Sequence, residues 1–271
     1  MIAMNHRFSR VSSALRPAAR DESASLPAAF AEQLSSLYGL VQRSRYVFGS
    51  PLGPFQAGGR EFQIPRFVYF GPHTSDVSVR LSFLAGFDHR DLRGTLSLLH
   101  FVERLALKPD IGQGLNLSIF PLVDVLGLAG IAGVRPVGSD HWVGSEIPEL
   151  HVLERDARQR AYHGFVRVET APLTDEVTVS LRGVQHTDNP SPDVEVIGSD
   201  DIEPFAVRWE VASTESAGPL SVADDLGDQP FELTLRIPAS WSVNLYREAT
   251  ASILKRFVQR YRGFLAYGQH L

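Results

Sequence analysis

Val77 to Phe87 reads VSVRLSFLAGF, and no other stretch restricts the fold so strongly. It alternates at first and then runs almost continuously apolar, the pattern of a strand covered on both faces. Leu92–Leu107 follows at once, with Leu96, Leu99, Val102, Leu105 and Ala106 at helical spacing and Pro109 closing the segment. A second apolar strand, Leu115–Val125, comes next. A helix over Pro148–Ala161 then leads into the strands Phe165–Val168 and Val177–Leu181. Strand–helix–strand alternation of this length implies right-handed crossovers. The expected fold class is therefore α/β: a single domain with a mostly parallel mixed sheet and helices on both faces.

The flanking segments fit that frame. Ala28–Val41 reads as a helix with Phe30, Leu34, Leu37 and Val41 on one side, and Gly49–Gly59, rich in Gly and Pro, reads as a loop. Arg66–Phe70, Phe205–Val211 and Phe231–Ile237 read as strands. Asn244 is placed to cap a final helix whose Leu245, Ala249, Ile253, Phe257 and Tyr261 line one face. Two acidic, turn-rich excursions, Gln185–Asp201 and Glu215–Gly227, read as surface loops. Residues 1–25, rich in Ser, Ala and Arg, are expected to form a flexible arm, leaving 26–271 as one domain.

At 271 residues, 44% hydrophobic and 21% charged, the chain can bury a continuous core. It has no run of 18 apolar residues and no apolar leader, so neither a membrane span nor classical export is expected, and the expected location is cytoplasmic. The net charge of -5 argues against a nucleic-acid partner. The absence of cysteine excludes disulfides, thiolate metal sites and cysteine nucleophiles.

Several chemistries lack their motifs. GxGxxG after a first strand, GxxxxGK[ST] and GxSxG are all missing. The Gly-rich stretch Gly127–Gly138 has the wrong spacing for a phosphate loop. The pairs His100–Glu103 and His151–Glu154 match HxxE, but both fall inside helices, where residues three apart form ordinary surface pairs.

The end of the strand Val77–Phe87 is more informative. Ligands of open parallel sheets gather beyond the carboxyl ends of the strands, and there stand Asp88, His89, Arg90 and Asp91, before a helix N-terminus. Taken alone, this is also the composition of a helix-capping turn. Glu169 closes a later apolar strand, and Glu232 stands near the start of PFELTLRIP.

In order and wording, the segments PRFVYFG, LSFLAGFDHRDLRGTLSLLHFVERL, FPLVDVLG, PELHVLERDAR with YHGFVRVE, PFELTLRIP and YRGFLAYGQHL resemble the zinc carboxypeptidase superfamily. The likeness is to its succinylglutamate desuccinylase/aspartoacylase-like branch, over about residues 60 to 271. That resemblance implies a metal-dependent hydrolase of amide bonds, with two His and one Glu on zinc and a further Glu as general base. Carried over by position, the zinc ligands fall on Asp88, Asp91 and Glu169, and the base falls on Glu232. The family's Asn-Pro element is Asp124-Val125 here, and its Asn-Arg pair is Trp142-Val143, leaving Arg135 as the nearest substrate-binding Arg.

Both zinc histidines are thus replaced. Two carboxylates in place of two imidazoles add negative charge and weaken Lewis acidity. No cofactor is the first expectation; a bound ion would be Mg, Mn or Ca rather than Zn. The implied reading is a degenerate homologue without efficient catalysis, binding a small molecule or peptide end in a crevice faced by Asp88, Asp91, Glu169 and Glu232. The alternative is an active metal-dependent amidohydrolase or carboxypeptidase with a carboxylate-rich site, or with His73, His141 or His163 recruited to it.

Overall fold

A computed structural model describes residues 28–75, 78–131, 137, 145–182, 205–212 and 230–268. The first described elements are helix α1 (Ala28–Val41) and the short strand β1 (Val47–Gly49). A hairpin, β2 (Leu52–Ala57) and β3 (Arg60–Ile64), leads to β4 (Phe67–Phe70) and β5 (Val79–Leu84). Helix α2 (Arg93–Leu107) and a 3-10 turn (Pro109–Gly112) precede β6 (Leu115–Phe120), the single turn α3 (Val125–Leu128) and α4 (Pro148–Arg160). The strands β7 (Gly164–Ala171), β8 (Val177–Arg182), β9 (Val207–Val211) and β10 (Phe231–Pro238) come before the last helix, α5 (Val243–Gly268).

Eight strands form one sheet in the order β1-β4-β6-β5-β7-β10-β8-β9. Its centre is parallel: β5 pairs with β6 on one edge and β7 on the other, and β7 pairs with β10. The strands β1, β4 and β8 supply the antiparallel pairings. Strand order moves one way from β5 to β6 and the other way from β6 to β7, so right-handed crossovers put α2 and α4 on opposite faces. Side chains agree. Phe83 of β5 meets Phe101 of α2 with ring centroids 5.7 Å apart. Ser82 points the other way, beside Phe165, which packs on Tyr162 at the end of α4. Helices α1 and α5 pack with α2. This is the single α/β domain expected from the alternation. No helix among the described residues is long and apolar enough to cross a membrane.

Two local expectations are corrected. Part of Gly49–Gly59 is a strand: β2 pairs antiparallel with β3, and Ala57 faces Arg60 across Gly58 and Gly59, whose φ angles are 55° and 72°. Two successive left-handed residues make the tight turn that matches strand twist, so these glycines mark a hairpin. Gly53 and Pro54 fall where the register shifts between Leu52 and Phe55. The second correction concerns α5. Ser242, not Asn244, caps it by accepting from the Leu245 N–H at 3.3 Å. The buried stripe accordingly starts at Tyr246, while Leu245 is exposed. The remainder of the stripe, Ala249, Ile253, Phe257 and Tyr261, is buried. The arm at 1–25 and the acidic excursions at 185–201 and 215–227 lie outside the described residues.

Phe101 is fully buried between α2 and the sheet, whereas Phe70 on β4 is exposed. Phe101→Ala is expected to lower unfolding stability by about 3–5 kcal/mol. Phe70→Ala should cost less than about 1 kcal/mol. Urea titrations of the two variants check this, and equal losses would contradict the two-faced burial of the sheet.

Candidate functional site

The turn after β5 is laced to the turn after β6. Ala85 N–H donates to Phe120 O, Val123 N–H to Ala85 O, and Asp124 N–H to Gly86 O. This places Asp124 beneath the Asp88–Asp91 turn, with no exposure to solvent. Its carboxylate accepts from the His89 N–H at 3.0 Å and the Gly127 N–H at 3.0 Å, and lies 2.6 Å from His89 Nδ1. At that distance from a carboxylate oxygen, Nδ1 is the ring nitrogen that carries a proton toward Asp124. Gly127 is required here: a Cβ would stand 2.2 Å from His89 Nδ1 and 2.5 Å from Asp124 Oδ1. Among the described residues, Asp88, His89 and Asp124 bring ligand atoms within 4.8 Å of one another.

The inherited acidic positions are each engaged by arginine. Asp88 is held by the Arg90 guanidinium at 2.6 Å, and these hydrogen bonds keep its carboxyl below the ordinary Asp range. Asp91 lies at 2.9 Å from Arg93 Nε. Burial pushes the Asp91 carboxyl up, but hydrogen bonds from Arg93 and Thr170 outweigh it and hold the group low. Arg93 also donates to the Ala239 carbonyl beyond β10, so this pair ties three strand ends together. Glu169 stands between Arg167, 2.9 Å away, and Arg236, 3.5 Å away. Residues two apart on a strand share a face, which is why Arg167 and Glu169 meet. Arg167 is buried over the Phe87 ring, at 5.7 Å, and burial pulls its guanidinium below the usual value. Its Nε faces Glu169 without hydrogen-bond geometry, and Nη1 has no hydrogen-bond partner.

Glu232 lies lower on the same face of the sheet, where its charge acts on Arg167. It sits at the start of β10, in register with Phe165, whereas Arg236 is the residue in register with Glu169. Four residues of strand separate the two levels, roughly 13 Å. Arg182 approaches Glu232 at 3.7 Å. Asp88 and Asp91 therefore stand beyond the carboxyl end of the sheet, Glu169 is close to that end of β7, and Glu232 is at the amino end of β10. His163 precedes β7 and accepts from the Arg80 N–H at 3.1 Å, while His73 precedes β5, so both belong to the amino ends. Arg135, His141 and Trp142 lie outside the described residues. Reading the sequence for HxxE passed over His89 and Asp124 as a pair. The available signal was their placement, each directly after an apolar strand, at ends that neighbouring parallel strands bring together.

No family model matches the sequence, and comparison with curated proteins finds no match. Solved structures do match. A metallo-carboxypeptidase from Burkholderia cenocepacia superimposes with a TM-score of 0.64 at 14% identity, covering 86% of this chain and 69% of that one. A metallo-carboxypeptidase from Pseudomonas aeruginosa, in complex with (2-guanidinoethylmercapto)succinic acid, gives 0.59 at 14% identity over 84% and 68%. Bovine thrombin-activatable fibrinolysis inhibitor, in complex with tick carboxypeptidase inhibitor, gives 0.56 at 14% identity over 86% and 97%. The chain has the metallo-carboxypeptidase fold.

The three acidic positions that the sequence resemblance assigns to a metal each stand beside an arginine. Asp88, Asp91 and Glu169 each face a guanidinium at 2.6 to 2.9 Å, so a cation entering there would displace a fixed positive charge. Glu232 stands at the other end of its strand. Asp88, His89 and Asp124 form the one described group whose donors converge, and Asp124 already accepts from its surroundings.

Two outcomes follow for the turn. Asp91 has a depressed folded-state pKa, so its stabilisation is present above the ordinary Asp range and is lost as pH falls through the folded value. Asp91→Asn should cost about 1–2 kcal/mol at pH 7, shrinking toward zero as pH falls below the depressed folded value, as read by denaturation across pH. Gly127→Ala should cost about 1–3 kcal/mol and shift the His89 ring resonances by forcing the ring from Asp124. Unchanged ring signals would contradict the packing at Gly127.

Proposed function

We propose that this protein uses the crevice of a metallo-carboxypeptidase fold to bind a small molecule or a peptide end, without efficient metal-dependent amide hydrolysis. The observation that carries the reading is the guanidinium partner at every inherited acidic position of the crevice: Arg90 on Asp88, Arg93 on Asp91, and Arg167 with Arg236 on Glu169. Amide hydrolysis needs a polarised carbonyl, an activated water and a countercharge for the tetrahedral oxyanion. A metal ion would supply all of these, by polarising the carbonyl, lowering the pKa of bound water and carrying the countercharge. Fixed guanidinium groups supply countercharge but do not ionise a water, and Glu232 lies too far along β10 to act as base for a substrate at Asp88. Absence of cysteine suits a reducing cytoplasm.

One observation favours a second reading. Asp88, His89 and Asp124 converge, and their two carboxylates with one imidazole suit Mn or Mg better than Zn. In that reading Asp88, His89 and Asp124 would each supply one ligand atom.

Elemental analysis of protein purified without chelator, paired with amidase and carboxypeptidase assays, separates the two. The expected result is substoichiometric metal and no turnover, with Glu232→Ala leaving both unchanged. About one tightly held ion per chain, lost with activity in Asp124→Ala, would overturn the first reading.

A further inference from the structure

Strand β9 closes one side of the sheet, and among the described residues it pairs with β8 alone. An open edge offers main-chain donors and acceptors to another strand, and proteins blunt such edges with very short strands, Pro, Lys or bulges. The other edge strand, β1, is blunted by length, having three residues. β9 uses none of these devices. It reads Val207-Arg208-Trp209-Glu210-Val211 in unbroken parallel register with β8, and its last side chain, Val211, is 73% exposed.

Main-chain direction alternates along a strand. Ala212 N–H donates to the Leu181 carbonyl, so Glu210 and Arg208 also turn their main-chain groups toward β8, and Val207, Trp209 and Val211 turn theirs outward. Side chains divide the same way. Val207 and Trp209 pack against the core, level with Val177 and Val179, while Arg208 and Glu210 stand on the opposite face, level with Thr178 and Ser180. In its chemistry the strand reads alike in both directions: apolar, charged, aromatic, charged, apolar, with the two charges of opposite sign. An antiparallel second copy centred on Trp209 therefore sets Val207 against Val211, Arg208 against Glu210 and Trp209 against itself. Val207, Trp209 and Val211 then occupy the positions that exchange N–H···O=C bonds, and the charges occupy the intervening positions, where facing side chains are closest. Sliding the seam by two residues would set Arg208 against Arg208 or Glu210 against Glu210, so charge selects the register. Both charges have exposed partners within the chain, Glu176 at 2.9 Å from Arg208 and Arg236 at 3.8 Å from Glu210. These contacts are compatible with the seam, because a guanidinium and a carboxylate each serve more than one partner and exposed pairs rearrange at little cost.

We infer that β9 is a dimerisation edge, its partner a second copy of this chain related by a two-fold axis through the Trp209 pair. Such an interface is isologous, so each Arg208–Glu210 contact occurs twice. A seam of one five-residue strand is small for an interface, and the dimer is expected to dissociate on dilution. The assignment does not depend on how the crevice works.

Sedimentation velocity of the full-length protein over a wide concentration range should show a monomer–dimer equilibrium. Arg208→Glu and Glu210→Arg each put like charges opposite one another at both symmetric contacts, and each should raise the dissociation constant about tenfold or more. The double reversal R208E/E210R restores opposite charges across the seam and should restore association. Circular dichroism checks that the variants keep the fold. Should one fail to fold, hydrogen exchange of the wild type decides: the Trp209 and Val211 amides should gain protection as concentration rises, while the Glu210 amide, turned to β8, should not change. A monomer at every concentration, a dimer that neither single reversal weakens, or a double reversal that stays dissociated would overturn the assignment. So would protection of Trp209 and Val211 that is independent of concentration, the result expected if another segment of the same chain covers this edge.

Discussion

Strand β5 is hydrogen-bonded along both edges, to β6 and to β7, and this two-sided pairing holds the rest of the molecule in place. Leu81, Phe83 and Leu84 are fully buried, some turned to the α2 face and some to the α4 face. Each such side chain contributes roughly 1.5–3 kcal/mol by leaving water, so a slip of register by one residue would be heavily penalised. With β5 fixed, its carboxyl end delivers the Asp88–Asp91 turn and its amino end delivers Arg80.

Local charge pairing sets the character of the crevice. Fold similarity brings the strand ends together as in the metallo-carboxypeptidases. Yet the side chains that arrive are acid–base pairs close in sequence: Asp88 with Arg90, Asp91 with Arg93, and Arg167 with Glu169. Residues two apart pair readily when they sit in a tight turn or alternate along a strand, so each carboxylate meets its counterion before any distant group can. Only the partly buried pairs bear on stability. Asp88 and Arg90 are exposed, where screening leaves an ion pair little effect. Asp91 and Arg93 reach the Ala239 carbonyl and join β10 to the turn.

A different electrostatic solution operates at the other end. Asp156 is almost wholly buried and holds Arg66 and Tyr162 from separate elements, so α4 is pinned to the β3–β4 junction. Breaking a buried pair by removing one member costs about 3–5 kcal/mol, because the other charge is left without compensation. The same carboxylate also serves Arg160, at 3.1 Å.

Sequence determined the parts of this protein that depend on neighbours along the chain. Helical spacing of Phe30, Leu34, Leu37 and Val41 marked α1, and the apolar run through Phe87 marked β5, because one-sided and two-sided burial leave different periods. Glycine and proline were read as a loop at residues 49–59, since a two-residue glycine turn and a bulge look like punctuation until the partner strand is known. Only tertiary structure decided which residues meet across the chain. Asp124 reaches His89 from the end of β6, Arg236 rather than Glu232 stands level with Glu169, and Asp156 serves Arg66 from 90 residues away. Those contacts follow from strand order and register, which are set by the summed packing of the whole sheet and leave no local trace in the residues that benefit.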